Sequence, residues 1–542
     1  MSTKLTDMTA IVDLTREKGA GAVRARRPIY VDLLPPCNDV CPAGEDIQAW
    51  LALAQAGRYQ DAWQALVRDN PLPAVHGRVC YHPCEGGCNR QHLDSAVSIH
   101  AVERFLGDLA AREGWQVAMA PPNGKRVLVV GAGPSGLSAS YHLARLGYAV
   151  EVHDAGPLPG GMLHFGIPSY RLPREDLMKE IRRIEAMGVK IVLDHNVTDV
   201  VAEQSAGQFD AVFIAVGAHL SKRINIPARD AGKVYDAVAL LRKIETGEAP
   251  RLGRRVVVYG GGNTAMDAAR TAKRLGADEA LIIYRRDRAH MPAHEFEADE
   301  AIEEGVKIKW LTTIKTIDGG DLTVEVMRLD AKGMPQPTGE FETLQADAVV
   351  LALGQDTDTG FLRAVPDIEF KSDGSVLVGA DMMTGHAGIF AGGDMVPSER
   401  TVTVAVGHGK KAARHIDAWL RGAQYEKPAK HPVVSFDMLT LPIYSDAARS
   451  VQPELATAVR MSGFEEVVAG LTEGQALYEA KRCLSCGNCF ECDNCYGACP
   501  EAAIIKLGPG RRYDYDYRLC TGCAVCFEQC PCHAIEMIPE PA

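Results

Sequence analysis

A glycine turn set between a buried strand and a helix-period segment occurs twice in this chain, and no other feature narrows its fold as far. From Lys125 the sequence runs KRVLVVGAGPSGLSASYHLARLGYAVEVHDAG, and from Arg254 it runs RRVVVYGGGNTAMDAARTAKRLGADEALIIYRRDRAHMPA. Both read as dinucleotide-binding βαβ units. In the first, Gly131 permits the tight turn, Gly133 lets the backbone approach a pyrophosphate, and Gly136 lets the helix pack closely on the strand. Pro134 and Ser135 lie within the same turn. Asp154 closes the second strand, where an acid can accept hydrogen bonds from a ribose. In the second unit Gly260, Gly262 and Ala265 take the three turn positions, with Asn263 and Thr264 between them.

The second unit ends its strand differently, in Tyr284-Arg285-Arg286. Two guanidiniums where an acid would sit can clamp a 2′-phosphate, which prefers NADPH over NADH; the alternative is a solvated basic turn. The buried strands DAVFIAVGA (Asp210 to Ala218) and DAVVLALGQDTDT (Asp347 to Thr359) end in turns at Gly217 and Gly354 and bracket this unit. After them comes GIFAGGDMVPSERTVTVAVGHGKKAARHID, which holds Gly393, Asp394 and Thr401. One dinucleotide domain inserted into another is the plan of flavoproteins with two such domains. Asp394 resembles the residue that holds the ribityl chain and pyrophosphate there, so FAD is expected in the first site and NAD(P)H in the second.

Sixteen cysteines sit in two groups at the ends of the chain, with none between Cys88 and Cys483. Flavoproteins of this plan often reduce a disulfide beside the flavin; here that core has no cysteine, so electrons must leave through the ends. The C-terminal group contains two runs of the form C-x2-C-x2-C-x3-C-P. They are Cys489, Cys492, Cys495 and Cys499 before Pro500, and Cys520, Cys523, Cys526 and Cys530 before Pro531. In two-cluster ferredoxins the fourth cysteine of each run ligates the other cluster. That assigns Cys489, Cys492, Cys495 and Cys530 to one 4Fe-4S cluster and Cys520, Cys523, Cys526 and Cys499 to the other. Zinc is the alternative for repeated CxxC pairs, and the paired Cys-Pro endings argue against it. Cys532 reads as a structural bystander. The N-terminal group, Cys37, Cys41, Cys80, Cys84 and Cys88, has five members, which do not make two sets of four.

NPLPAVHGRVC with PCEGGC, GAGPSGL, PGGMLHFGIPSYRLP, GGGNTAMD, YRR with MPA, and AGGD together resemble the small subunit of NADPH-dependent glutamate synthase and its relatives. Those relatives include the flavin half of dihydropyrimidine dehydrogenase and the large subunit of NADH-dependent ferredoxin:NADP oxidoreductase. The resemblance runs from about Cys37 to Asp417 and implies FAD, NADPH and two N-terminal 4Fe-4S clusters. It also implies that Gly160, Gly161 and Arg171, in the PGGMLHFGIPSYRLP stretch, belong to the flavin site. Relatives carry an R-C-x-x-C-G stretch upstream of the cysteines matching Cys37 and Cys41; none precedes Pro36 here. KRCLSCG, ending at Gly487, stands instead before the ferredoxin runs. The resemblance therefore implies a distal cluster on Cys37, Cys88, Cys483 and Cys486, the alternative being that the last two are idle. The proximal cluster would take Cys41, Cys80 and Cys84. Glu103 matches the place of a helix-borne oxygen ligand found in some relatives, and is otherwise a surface glutamate.

The expected architecture is an α/β core of two nested Rossmann-like domains, an N-terminal helical iron-sulfur domain and a C-terminal α+β bacterial-type ferredoxin domain. Its expected spans are 1–122 for the helical domain, 123–250 and 349–422 for the FAD domain, 251–348 for the NAD(P)H domain, 423–480 for an irregular linker and 481–542 for the ferredoxin domain. A formal charge of -12 disfavours nucleic acid or an anionic membrane as partner. No apolar run long enough to cross a bilayer and no apolar leader block occur, so a cytoplasmic protein is expected. Only about 55 residues separate Arg421 from Ala476, too few for a further (β/α)8 substrate domain. The reading that follows is an oxidoreductase subunit that moves electrons between NAD(P)H and a low-potential iron-sulfur partner. Soluble ferredoxin and the other subunits of a complex, such as a 2-oxoacid oxidoreductase, are the expected partners. The alternatives are a glutamate synthase small subunit and a non-catalytic relay or scaffold subunit.

Overall fold

The structure is a computed structural model that describes residues 24–222, 226–229, 233–441 and 444–540. The N-terminal stretch without an apolar leader block, residues 1–21, lies outside the described residues.

Strands rich in Val, Ile and Leu without polar alternation can only be buried on both faces, which is the condition for a parallel sheet. Arg126–Val130 is such a strand; Val127, Leu128 and Val129 are fully buried. It lies at the centre of a five-stranded sheet in the order Ile389–Ala391, Ala211–Ile214, Arg126–Val130, Ala149–His153, Lys190–Val192, every neighbour parallel. Helix Pro134–Arg145 follows the central strand and packs on the long helix Val402–Leu420. A side chain at Gly409 would lie 2.3 Å from the Ser135 carbonyl oxygen, so the helices meet only because that position is glycine.

A second parallel sheet follows the order Lys307–Lys309, Glu279–Ile283, Arg255–Tyr259, Ala348–Leu351, Val234–Asp236. Two findings correct the sequence reading here. The sheet begins upstream of residue 251, at Val234–Asp236, and Ala348–Leu351 is one of its inner strands and does not open the returning FAD segment. The two passages between the sheets, Leu220–Ser221 and Gln355–Asp356, pair antiparallel, so the insertion hangs on a double connection. A four-stranded sheet built on Thr312–Asp318, Asp321–Leu329 and Pro335–Gln345, joined by Ala228–Arg229, lies on the inserted domain and had no counterpart in the expectation.

The N-terminal helices Ile47–Gln55, Tyr59–Leu66, Pro73–Val79 and Ile99–Glu113 close around Trp50 and Trp63, both fully buried. The C-terminal unit carries the hairpin Ile504–Lys506 with Tyr513–Tyr515 and the last strand Ile535–Pro539. That last strand pairs antiparallel with Arg26–Tyr30, so the first described strand of the chain completes the C-terminal unit. Tyr30 stacks on Tyr515 with ring centroids 4.8 Å apart.

The expected linker is not irregular throughout. It contains helix Glu473–Lys481, opened by a capping box between Thr472 and Gln475. Upstream it lies along the helical domain: Leu34 N–H donates to the Pro432 carbonyl at 2.9 Å, and Arg104 donates to the Val468 carbonyl at 2.7 Å. Arg482 then locks the joint. It is 2% exposed and donates six hydrogen bonds, to the carbonyls of Ala447, Ala96 and Ser95, to Ser95 Oγ, and to the carboxylates of Glu479 and Asp94.

Candidate functional site

The C-terminal edges of the two parallel sheets face one cleft of about 1480 Å³. This is where open α/β sheets bind ligands, because the glycine turns and helix N-termini point out there. Gly131 (φ +106°) and Gly260 (φ +149°) hold a conformation other residues rarely adopt. A Cβ there would meet the carbonyl oxygen of Ala215 at 2.4 Å and that of Ala352 at 2.1 Å. At Gly136 it would lie 1.9 Å from the Gly131 carbonyl oxygen. Gly133 and Gly262 differ: a Cβ at either would meet nothing within 4 Å and would stand in the open cleft. Each turn is thus a cradle whose empty volume a pyrophosphate fits.

Around the first turn, Gly131, Gly133, Pro134, Ser135, Asp154, Gly161, Gly217, Gly393, Asp394 and Thr401 line the cleft. Gly136 and Gly160 support it from behind. Asp154 accepts the N–H groups of Ala132 and Gly156, both at 2.7 Å, so it braces the turn as well as facing the cleft. Burial raises the Asp394 carboxyl to about 6, with Arg400 opposing. Around the second turn, Gly260, Gly262, Asn263, Thr264, Arg285, Arg286 and Gly354 line the same cleft, while Ala265 packs in the core. Neither Arg285 nor Arg286 forms an ion pair among the described residues, which leaves both guanidiniums for an anion.

Two expected ligand residues are already engaged. Arg171 reaches the cleft wall but is pinned by Asp267, with both contacts at 2.9 Å, and by Glu297. It therefore ties the flavin-side loop to the inserted domain. Asn263 donates to the Tyr81 hydroxyl at 2.5 Å and accepts the His294 N–H at 3.0 Å. Its role is to join the inserted domain to the helical one.

The cysteines fall into four groups. Cys37, Cys88, Cys483 and Cys486 line one enclosed pocket with Pro36, Asn89 and Leu484. Burial, then the charges of Cys88, Cys483 and Cys486, push the Cys37 thiol well above its ordinary value. Cys499, Cys520, Cys523 and Cys526 line a second pocket, and Cys523 is exposed. Cys489, Cys492, Cys495 and Cys530 are mutual electrostatic neighbours, burial being the main cause that raises the first three. Cys532 is closer to this set than a bystander: its Sγ lies 3.8 Å from Cys530 Sγ, and this hydrogen bond lowers the Cys530 thiol while raising that of Cys532. Buried sulfurs held this close are unfavourable as bare thiolates and suit a metal that keeps them deprotonated.

The fourth group is Cys41, Cys80 and Cys84: burial comes first in raising each thiol, Cys80 adds to the rise at Cys41, and Cys80 and Cys41 add to it at Cys84. Glu103 is no surface residue; it is 5% exposed and accepts from Asn70 Nδ2 at 2.6 Å. Beside it stands an acid the sequence reading missed. Glu45 is 4% exposed, shares the Asn70 amide at 3.1 Å, and leaves its second oxygen buried without a hydrogen-bond partner. Both carboxylates neighbour Cys41 and Cys80, so two buried oxygen donors, not one, adjoin the three thiols. The available signal was Glu45's position four residues after Cys41. Val79 and Tyr81, flanking Cys80, line the nucleotide cleft. One member of this fourth group thus sits in the chain between two residues of the cleft wall.

Residues 125–409 match the family model described as pyridine nucleotide-disulphide oxidoreductase. The chain belongs to that family. It is an NAD(P)H-dependent flavin oxidoreductase, using FAD and NAD(P). Residues 8–115 match the model for dihydropyrimidine dehydrogenase domain II, 4Fe-4S cluster, which adds iron-sulfur chemistry to the flavin core. The chain is 36% identical to NADP(+)-dependent formate dehydrogenase subunit beta of Moorella thermoacetica, over 87% of this chain and 73% of the relative. It is 36% identical to NADPH-Fe(3+) oxidoreductase subunit beta of Geobacter sulfurreducens, over 83% and 75%. The glutamate synthase [NADPH] small chain of Escherichia coli K12 is also 36% identical, over 71% of this chain and 89% of its own length. The family's disulphide has no equivalent here, because residues 125–409 contain no cysteine. Among the described residues no helix is long and apolar enough to cross a membrane.

Proposed function

We propose that this chain is the electron-distributing subunit of a cytoplasmic oxidoreductase complex, exchanging electrons between NADPH and a low-potential iron-sulfur partner through FAD and four 4Fe-4S clusters. The observation that carries it is the pocket where Cys37 and Cys88, from the first quarter of the chain, meet Cys483 and Cys486 from its last. That pocket joins the N-terminal group beside the nucleotide cleft to the ferredoxin runs, since Cys486 and Cys489 are three residues apart.

When bound, FAD converts two-electron hydride chemistry into single electrons, and the clusters carry those one at a time. The protein's own contribution is positional. Gly131 and Gly133 with Asp154 would hold one dinucleotide, and Gly260 and Gly262 the other, with Arg285 and Arg286 free to pair a 2′-phosphate. Arg171, held by Asp267 and Glu297, fixes the angle between the two sites. Cys41, Cys80 and Cys84 with Glu103 or Glu45 would hold the cluster next to the cleft. The partner subunits would be soluble ferredoxin or the catalytic subunits of the complex. The wider overlap with the formate dehydrogenase and NADPH-Fe(3+) oxidoreductase beta subunits, 87% and 83% of the chain, favours this over a glutamate synthase role, where the overlap is 71%. The arginine pair in the second site, which forms no ion pair among the described residues, favours catalysis over a passive relay.

The test is anaerobic reduction of the purified protein by NADPH with iron counted in parallel. The expected result is bleaching of the flavin and about sixteen iron atoms per chain. Zinc in place of iron, or a flavin that NADPH does not bleach, would overturn the proposal.

A further inference from the structure

We propose that Thr403 is a positioning residue that sets the potential of the cluster on Cys41, Cys80 and Cys84, through its hydrogen bond to Cys80. This rests on the reading of Cys80 as a cluster ligand. Helix Val402–Leu420 begins at Thr401, whose side chain caps it by accepting the Val404 N–H at 3.2 Å. Thr401, Val402 and Ala405 face the nucleotide cleft. Thr403 is turned away from it: it is 4% exposed, and its Oγ1 donates to Cys80 Sγ at 3.0 Å.

A threonine deeper in a helix spends its hydroxyl on the carbonyl one turn back. Thr403 stands at the second helical position, where no such turn precedes it, and its hydroxyl is left to reach across to the sulfur. Cys80 Sγ accepts one other bond, the His82 N–H at 3.2 Å. The hydroxyl therefore supplies the side-chain donor of the two that this sulfur receives. It does so from the residue next to Val402, which lines the cleft. Val79 and Tyr81, the chain neighbours of Cys80, line the same cleft. Donors onto a cluster thiolate favour the more electron-rich state and raise the potential. A raised potential in the cluster beside the cleft draws electrons out of the flavin site.

The experiment compares the parent with Thr403→Val, which keeps the shape and deletes the donor, and Thr403→Ser, which keeps the donor and deletes a methyl group. Iron and flavin contents are measured first, then midpoint potentials by electron paramagnetic resonance at poised potentials. The expected result is parent iron and flavin in both variants, a downward shift of one cluster in Thr403→Val, and no shift in Thr403→Ser. Equal potentials in parent and Thr403→Val would overturn the proposal. Should Thr403→Val lose its iron, Thr403→Ser decides: parent iron and potential support the donor, and the same loss overturns it. Cys80→Ala separates the two readings. If it keeps its full iron, Cys80 is not a ligand and the underlying assignment fails, whatever the Thr403 variants show.

Discussion

Replacing Arg482 with Met would strand a charge at the joint between the two ends of the chain. Arg482 and Glu479 are 2% and 0% exposed, and their guanidinium–carboxylate contact is 2.8 Å. Asp94, the other carboxylate on Arg482, keeps Arg90 at 2.6 Å and is not left alone. Among the described residues Glu479 retains the N–H groups of Ser98 and Ser450, at 2.9 and 2.6 Å, and no counterion. Removing one partner of a buried pair costs about 3–5 kcal/mol, and those two N–H donors place this case near about 3 kcal/mol. A multidomain protein does not unfold in one step, so the cost is best read locally. Hydrogen exchange at the segments around Ser98 and Ser450, measured by mass spectrometry on the iron-loaded protein, should be faster by about 100-fold. Arg112→Met, which breaks an exposed pair with Glu113 at 69% and 48% exposure, is the control and should change exchange at that joint not at all. Adding Glu479→Gln to Arg482→Met should recover part of the loss, because the stranded charge is gone. Exchange in Arg482→Met no faster than in the control would refute the reasoning.

Gly133→Ala places a methyl group in open cleft without touching protein, so it should leave thermal stability of the flavin-free protein at parent level while weakening FAD binding, read by flavin retained after gel filtration. Arg286→Ala should raise the KM for NADPH far more than that for NADH, and equal increases would count against a 2′-phosphate clamp. Burial alone would raise the Glu304 carboxyl, but the Arg274 and Arg270 guanidiniums outweigh it and bring it down to about 2, from an ordinary 4.5. A carboxylate held below its unfolded value contributes stability above pH 4.5 and loses it as pH falls toward 2. The local stability deficit of Glu304→Gln should therefore be constant above pH 4.5 and shrink below it, read by hydrogen exchange in helix Asn263–Arg274.

The legible parts of this molecule were the local ones. Glycine turns announce themselves because Gly131, Gly133 and Gly136 stand at a short fixed spacing between strand and helix, and the ferredoxin runs because each cysteine stands at its own fixed spacing. The strand pair Arg26–Tyr30 with Ile535–Pro539 joins residues about five hundred positions apart, and no pattern in either segment names the other. The same holds for Thr403 on Cys80 and Asn263 on Tyr81, where one polar atom crosses between domains. The motif places Arg171 at the flavin site but does not show its pairing with Asp267 and Glu297, since an arginine's partners are decided by which carboxylates the fold brings near. Glu103 stands out as a candidate ligand through its motif, whereas the second acid, Glu45, shows only when the helices are packed.

The central claim is that thiols from opposite ends of the chain hold one common cluster. The iron content of the Cys483→Ser, Cys486→Ser double variant tests it most directly. A loss of about four iron atoms per chain, with flavin content unchanged, is the predicted result. Iron equal to that of the parent would mean that Cys37 and Cys88 need no partner from the C-terminal side, and would contradict the account.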